Sequence, residues 1–364
     1  MTTTRPGPSL RSRAVRRLFV VALHAMRRFG AGGTPPPDAP RPELEAYALQ
    51  LRDATERTLS RAPVGSDVEV VALAGAPVPG LVVAPRRLGA IPTGSTAQAE
   101  WLAAAPRVVL HLHGGAYILL SPNTHRGLGA AIARRADAVV VLPDYRLAPE
   151  HPFPAALDDA AASYRWLVGG AGVRPERMAV SGDSAGGGLG AALLVRLRDA
   201  GEVLPACYVG MSPWLDLAGT GASMTELDGA DPWISAAMTA PAALAYAGDT
   251  PLDHPEVSPL YADPAGLPPM LLHVGGDEVL RDDAVRFTAR ARAAGVEASH
   301  GIYPGLWHVF QAFPGLPESR DAVAEIGGFL RRHIPDDGVA AGPGQRGAAG
   351  HRGVSDPRTR AVRP

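Results

Sequence analysis

Lysine is absent from this chain of 364 residues, and all 35 of its basic side chains are arginine. That excludes Schiff-base catalysis and the lysine-dependent phosphate loop at once, since both need a primary amine. There is a single cysteine, Cys207, so no intrachain disulfide can close and no cysteine-based metal site can form. Its neighbours, Leu204-Pro205-Ala206-Cys207-Tyr208-Val209-Gly210-Met211, are mostly apolar, which suits a buried structural thiol better than a reactive one. Charge of one sign is also missing: 35 basic residues face 36 acidic ones. A chain so balanced has no global field to draw nucleic acid or an anionic membrane. Long hydrophobic runs are lacking too. Leu18-Phe19-Val20-Val21-Ala22-Leu23 is only six residues long, too short to span a bilayer.

What is present is enough apolar material, 46% of residues, for a large core. The ends differ from the middle. Residues 1–60 carry many arginines around the short apolar run, then a Gly32-Gly33-Thr34-Pro35-Pro36-Pro37 linker, and read as an N-terminal helical cap segment. Arg16-Arg17-Leu18-Phe19 has a passing likeness to a twin-arginine export signal, but no small-residue cleavage site follows, so a cytoplasmic location is expected. Residues 336–364 are Gly, Pro, Arg and Ala with almost no large apolar side chain, and are expected to be disordered.

Between them, residues 61–335 alternate strand-like and helix-like stretches. Asp67–Leu73 and Gly80–Ala84 read as an early strand pair. Arg107–Leu112, Ala138–Leu142, Arg177–Ser181, Cys207–Met211, Pro269–Val274 and Glu297–Tyr303 read as further strands. Helices are expected over 123–136, 154–167, 184–200, 282–294 and 318–333. Such alternation implies an α/β architecture, a mostly parallel central sheet covered by helices on both faces. The stretch 216–260 breaks the pattern and reads as a cap insertion over the sheet.

Gly182-Asp183-Ser184-Ala185-Gly186 fits the pattern Gly-x-Ser-x-Gly and lies between an expected strand and an expected helix. In the α/β-hydrolase fold that context makes Ser184 a nucleophile candidate, lifted above a helix N-terminus that favours developing negative charge. The blander reading, a glycine-rich phosphate loop, lacks the Walker lysine and the Gly-x-Gly-x-x-Gly spacing. A second glycine turn, His113-Gly114-Gly115-Ala116-Tyr117, ends the strand at Leu112. Acyl transfer needs bare backbone N–H donors for the oxygen that becomes an anion, and Gly115, Ala116 and Ala185 are the expected donors. His113 and Gly114 are expected to support that loop, with His113 a structural clamp and not a base.

These motifs, together with Ser121-Pro122-Asn123-Thr124-His125-Arg126 and the run Asp144-Tyr145-Arg146-Leu147-Ala148-Pro149-Glu150-His151-Pro152-Phe153-Pro154-Ala155, resemble the hormone-sensitive-lipase family of bacterial esterases. The resemblance runs from about 105 to 334 and leans toward the branch of acetyl-hydrolases and ε-lactone hydrolases. It departs at Ala116, where the family often has a third glycine. It implies a small-molecule ester or lactone substrate, no cofactor and no metal, and dimers of the kind common in similar enzymes.

In this fold the triad runs Ser, then acid, then His. Asp277 is the first acid after the strand and Gly275-Gly276, and is the expected orienting carboxylate. Similar enzymes show Asp-x-Leu-x-Asp here, whereas this chain has one residue more, which leaves Glu278 and Asp282 as weaker candidates. Their blander role is charge at a helix N-terminus. His308, on the loop after the last strand, matches the family's histidine and is the expected general base. Trp214, Trp233 and Tyr117 could line a pocket or simply fill core. The alternative to a carboxylesterase is a hydrolase-like binding protein that keeps the pocket without turnover.

Overall fold

The computed structural model describes residues 5–18, 41–60 and 64–336. The linker at 32–37, most of the apolar run from Leu18, and the tail from 337 onward lie outside the described residues. The sheet has eight strands: β1 (Val68–Ala72), β2 (Gly80–Pro85), β3 (Val108–Leu112), β4 (Val139–Pro143), β5 (Met178–Asp183), β6 (Cys207–Met211), β7 (Met270–Gly275) and β8 (Ala298–Tyr303). Their spatial order is β1-β2-β4-β3-β5-β6-β7-β8. β2 runs antiparallel to both neighbours, and every other pairing is parallel.

The helices in chain order are α1 (Arg41–Leu59), α2 (Ser95–Ala104), α3 (Pro122–Ala136), α4 (Ala155–Arg165), α5 (Ala185–Asp199), the single turn α6 (Ser223–Glu226), α7 (Ala236–Ala247), α8 (Arg281–Ala293) and α9 (Pro317–His333). Residues 10–18 are helical as well. Ser121 caps α3 with its hydroxyl on the Asn123 N–H, and Pro122 supplies the preset first-turn dihedral. α2 was not among the expected helices: Ser95-Thr96-Ala97-Gln98-Ala99 has no apolar period and no side-chain cap to announce it. Its Gln98 is fully buried and ties the helix to β1 through Ala72 O and Ala74 N.

Strand alternation divides the core in two. Val108, Leu110, Val139, Val141 and Val180 face one layer, with Leu189, Leu193 and Phe287 of α5 and α8. Val109, Val140, Leu142 and Val209 face the other, with Ile132 of α3 and Ile326 and Phe329 of α9. Both faces of β3 and β4 are therefore buried, as unbroken β-branched runs require. Each such side chain contributes about 1.5–3 kcal/mol of burial. Because the parallel strands all point the same way, their carboxyl ends gather at one edge, and every loop described below leaves from that edge.

Two outer pieces close over it. Arg52 of α1 donates to Ile118 O, Ala148 O and the Glu150 carboxylate at 2.6–2.8 Å. Residues 5–18 lie against the other end: Arg5 pairs with Glu325 of α9, and Ser9 and Ser12 donate to Glu318. The segment 216–260 holds α6 and α7 and no strand.

Candidate active site

β5 delivers Ser184 into a turn that only small residues can form. Its backbone sits at φ 54°, ψ −125°, a region that L-residues rarely occupy and that here is held by neighbours on all sides. Ser184 N–H donates to Met211 O at 2.9 Å, while Ser184 O accepts from Gly188 and Trp214. A Cβ on Gly182 would lie 2.2 Å from Gly186 O, and one on Gly186 would lie 2.1 Å from Leu112 O, so strand and helix touch backbone to backbone. Oγ is left pointing at His308, whose Nε2 stands 2.8 Å away.

The carboxylate nearest the imidazole is Glu278, not the expected Asp277. Asp277 turns outward, where its Oδ2 takes Arg16 Nη1 at 2.6 Å and about a third of the side chain remains exposed. Glu278, one residue on, is fully buried and faces inward, with Oε1 3.8 Å from His308 Nδ1. Its other oxygen accepts from Ser212 Oγ at 2.7 Å and from Gly275 N at 3.0 Å. Oε1 and Nδ1 have no hydrogen bond to any other group among the described residues. The third candidate, Asp282, accepts from Ser223 N at the start of α8, the role of helix N-terminal charge. The difference in placement is one of reach: Asp277 leaves the turn on the side where Arg16 waits, and glutamate's extra methylene lets the following residue span back to the histidine.

Ser212 was not foreseen from sequence. Fully buried and at φ 48°, it donates to Glu278 and accepts from Val309 N at 3.0 Å, so one hydroxyl links the acid to the histidine's loop. Val309 also sits in the left-handed region, at φ 49°. Asp231 is the second unforeseen residue: its Oδ2 accepts from His308 N at 2.8 Å.

Burial opposes the charged form of the His308 imidazole, but the Glu278 carboxylate outweighs it, with Asp231 and Asp183 adding to the effect. The pKa is therefore held above the ordinary 6.5.

Behind the serine lies a buried cluster. Asp183, 2% exposed, faces His125 Nε2 at 3.2 Å and His111 Nε2 at 3.3 Å. Burial works against its ionisation, yet the two imidazoles pull its pKa well below the carboxylate range. His125 is correspondingly raised, because the attraction of Asp183 exceeds the burial cost. A protonated His125 gives its Nε2 proton to Asp183, so the nearby Gly114 N–H, 3.3 Å from the same nitrogen, cannot also bond to it.

The glycine turn rests on this cluster. Asp183 Oδ2 comes within 2.3 Å of where a Gly114 Cβ would be, and Leu119 O within 2.0 Å of a Gly115 Cβ. Gly115 at φ 120° and Ala116 at φ 54° turn their N–H groups away from the secondary structure, and neither donates to any group among the described residues. The Ala185 N–H, at the first position of α5, is free in the same way. His113 stacks on Tyr145 at 4.2 Å, places Nδ1 2.7 Å from Gly114 O, and has its pKa pushed down to about 3 by burial and by His125. Its imidazole is therefore neutral at pH 7. Tyr145 OH donates to His113 O, but Arg146 pairs with Asp159 and Glu150 with Arg52, so of that motif Tyr145 braces the loop directly. Tyr117 and Trp214 are core: both are buried, and Tyr117 stacks on Tyr246 of α7 at 3.6 Å.

Among the described residues, no group of three or more His, Cys, Asp or Glu side chains could hold a metal ion. None of their helices is long and apolar enough to cross a membrane.

A strained serine at a strand-to-helix elbow, a histidine on its hydroxyl and free N–H groups beside it are what the α/β-hydrolase fold assembles, and comparison with known proteins agrees. A family model described as the α/β hydrolase fold matches residues 109–312. An acetyl-hydrolase of Streptomyces hygroscopicus is 43% identical over 247 residues, 67% of this chain and 82% of the relative. A solved esterase from the bacterial hormone-sensitive lipase family superposes with a TM-score of 0.71 at 39% identity, covering 87% of this chain and 98% of the other. The structure of EstE5 soaked with p-nitrophenyl butyrate gives 0.73 at 36% identity, covering 87% and 98%. The chain belongs to the α/β-hydrolase family, and within it to the hormone-sensitive-lipase group of bacterial esterases. It is a carboxylic ester hydrolase.

Proposed function

We propose that Ser184, His308 and Glu278 form the triad of a serine esterase acting on short-chain esters or lactones. The observation that carries this is the 2.8 Å contact of His308 Nε2 with Ser184 Oγ at a strained elbow. His308 takes the hydroxyl proton as Oγ attacks the carbonyl carbon, and Glu278 holds the Nδ1–H tautomer and offsets the imidazolium charge. The N–H groups of Gly115, Ala116 and Ala185 receive the oxyanion as donors already in place. His308 then returns its proton to the leaving alkoxide. Water, activated by the same imidazole, cleaves the acyl-enzyme and restores the serine.

Supporting a short acyl group are the acetyl-hydrolase relative and the EstE5 structure soaked with a butyrate ester. Each buried methylene would gain about 0.8 kcal/mol until the pocket is filled. Specificity constants along a p-nitrophenyl ester series should therefore climb and then fall, with the maximum at about C2 to C6. A rise that continues through decanoate, or activation at the micellar threshold, would replace this reading with a lipase. Ser184→Ala should abolish hydrolysis and leave the melting temperature intact, since small residues already line the elbow. The alternative of a binding protein without turnover finds no support among the relatives. We read the enzyme as cytoplasmic and able to form a homodimer; light scattering tests the latter.

A further inference from the structure

The hydrolytic cycle leaves Asp231 without a part, although this residue lies against the base. It sits in the segment between β6 and β7 and is 6% exposed. Its Oδ1 accepts the N–H groups of Trp233 at 2.7 Å and Ile234 at 3.3 Å, a local turn that fixes the carboxylate plane. Oδ2 then accepts a single N–H from 77 residues further along the chain, that of His308. A buried carboxylate bonded in this way is a tie between two loops, not a solvated charge. The residue before it is held as well. Arg16 Nη2 donates to Ala230 O at 2.6 Å, while Nη1 donates to Asp277 at 2.6 Å and to Gly305 O at 3.3 Å. One guanidinium thus bridges the loop of Asp231, the turn of Glu278 and the loop of His308.

We propose that Asp231 is a positioning residue for the general base, through which the segment over the sheet sets both the placement of the His308 loop and the charge around its imidazole. This rests on the reading of His308 as base. The charges that face that imidazole are Glu278 from the turn after β7, Asp231 from the segment over the sheet, and Asp183 from the elbow. Asp231 itself faces His308 and Glu278. Burial pushes its carboxyl up to about 6, with His308 opposing and Glu278 adding to the rise. The two groups attract each other when both are charged, so each proton taken by the imidazole during turnover favours an ionised Asp231 beside it. Displacing the segment would remove both the hydrogen bond and the negative charge, so the placement of the segment and the strength of the base are coupled.

The test compares Asp231→Asn and Asp231→Glu in the full chain, with kcat and kcat/KM for p-nitrophenyl butyrate measured from about pH 5 to 9. Loss of the negative charge in Asp231→Asn should move the acid limb down by about one unit, a tenfold change in the imidazole equilibrium. It should also lower kcat more than it alters KM. Asp231→Glu keeps the charge and should keep the limb in place while losing kcat. A wild-type limb in Asp231→Asn, or equal shifts in both variants, would overturn the proposal. Should Asp231→Asn fail to fold, the wild-type enzyme still decides. The His308 backbone amide resonance should titrate in two steps, one near pH 6 from Asp231, and a single step would overturn the tie. Activity surviving in Ser184→Ala would instead defeat the underlying reading of the site, with no effect on that titration.

Discussion

Replacing Glu278 by Gln changes one atom and should remove most of the activity. The carboxylate's Oε2 is fixed by two donors, Ser212 Oγ and Gly275 N. The amide oxygen of Gln is the only acceptor able to satisfy them, so the amide nitrogen must occupy the Oε1 position, which lies 3.8 Å from His308 Nδ1. A donor there favours an unprotonated Nδ1, and the remaining proton moves to Nε2, where it blocks proton transfer from Ser184. The precedent for this wrong-tautomer effect in another triad enzyme is about 10⁴-fold in turnover, or about 5.4 kcal/mol of transition-state stabilisation. Asp277→Asn makes the control. It breaks a partly exposed pair with Arg16, worth about 0–1 kcal/mol, and should leave turnover within about fivefold. Initial rates with p-nitrophenyl butyrate, alongside titration of the active serine by a phosphonate, separate lost turnover from lost protein. An active Glu278→Gln together with an inactive Asp277→Asn would refute the geometry and restore the neighbouring aspartate.

Three further outcomes follow from the same site. Because Glu278 holds the His308 pKa above 6.5, the enzyme must lose activity as pH falls through that raised value, and the acid limb of kcat/KM should lie above 6.5. A limb at or below 6.5 would show that burial prevails. Gly115→Ala places a Cβ 2.0 Å from Leu119 O at a φ of 120°, so the turn must move and carry its N–H with it. A loss of about 10²–10³ in kcat is expected, and near wild-type kcat would remove Gly115 from the oxyanion site. Cys207, buried and with its thiol pushed up to about 12 by burial, should resist iodoacetamide in the native protein and react only after denaturation.

The alternation of buried β-branched runs with helices was legible in the sequence because both faces of a parallel sheet must be covered. Ser184 was legible for a different reason: a small-residue pentapeptide between strand and helix has few other uses. The acid was not. Asp277 and Glu278 are adjacent carboxylates after the same strand, and nothing in their order says which one turns inward. That is decided by Arg16, about 260 residues away in sequence, and by the donors Ser212 and Gly275. Ser212 was hidden because one serine after a strand looks like any other until its left-handed backbone is seen. Asp231 was hidden because its segment has no periodicity from which its position could be inferred. α2 escaped for lack of a cap or an apolar stripe.

The docking of residues 5–18 has a consequence for how the chain is made. Arg5 finds Glu325, and its guanidinium lies 3.9 Å from the Tyr303 ring centroid; Ser9 and Ser12 find Glu318; Arg16 finds Asp277. All of these partners leave the ribosome after every strand up to β7. At about 5–20 residues per second, the first segment waits some 15–60 s for the last, and contacts so distant in sequence are among the slowest to form. Arg16 therefore clamps the loops of Glu278 and His308 only after Gly305 has emerged. Nascent chains stalled before Glu318 should expose residues 5–12 to protease, and chains stalled before His308 should not yet be labelled at Ser184 by a phosphonate. The enzyme acquires its reactivity only once β8 and the loop of His308 have emerged and settled against the earlier strands.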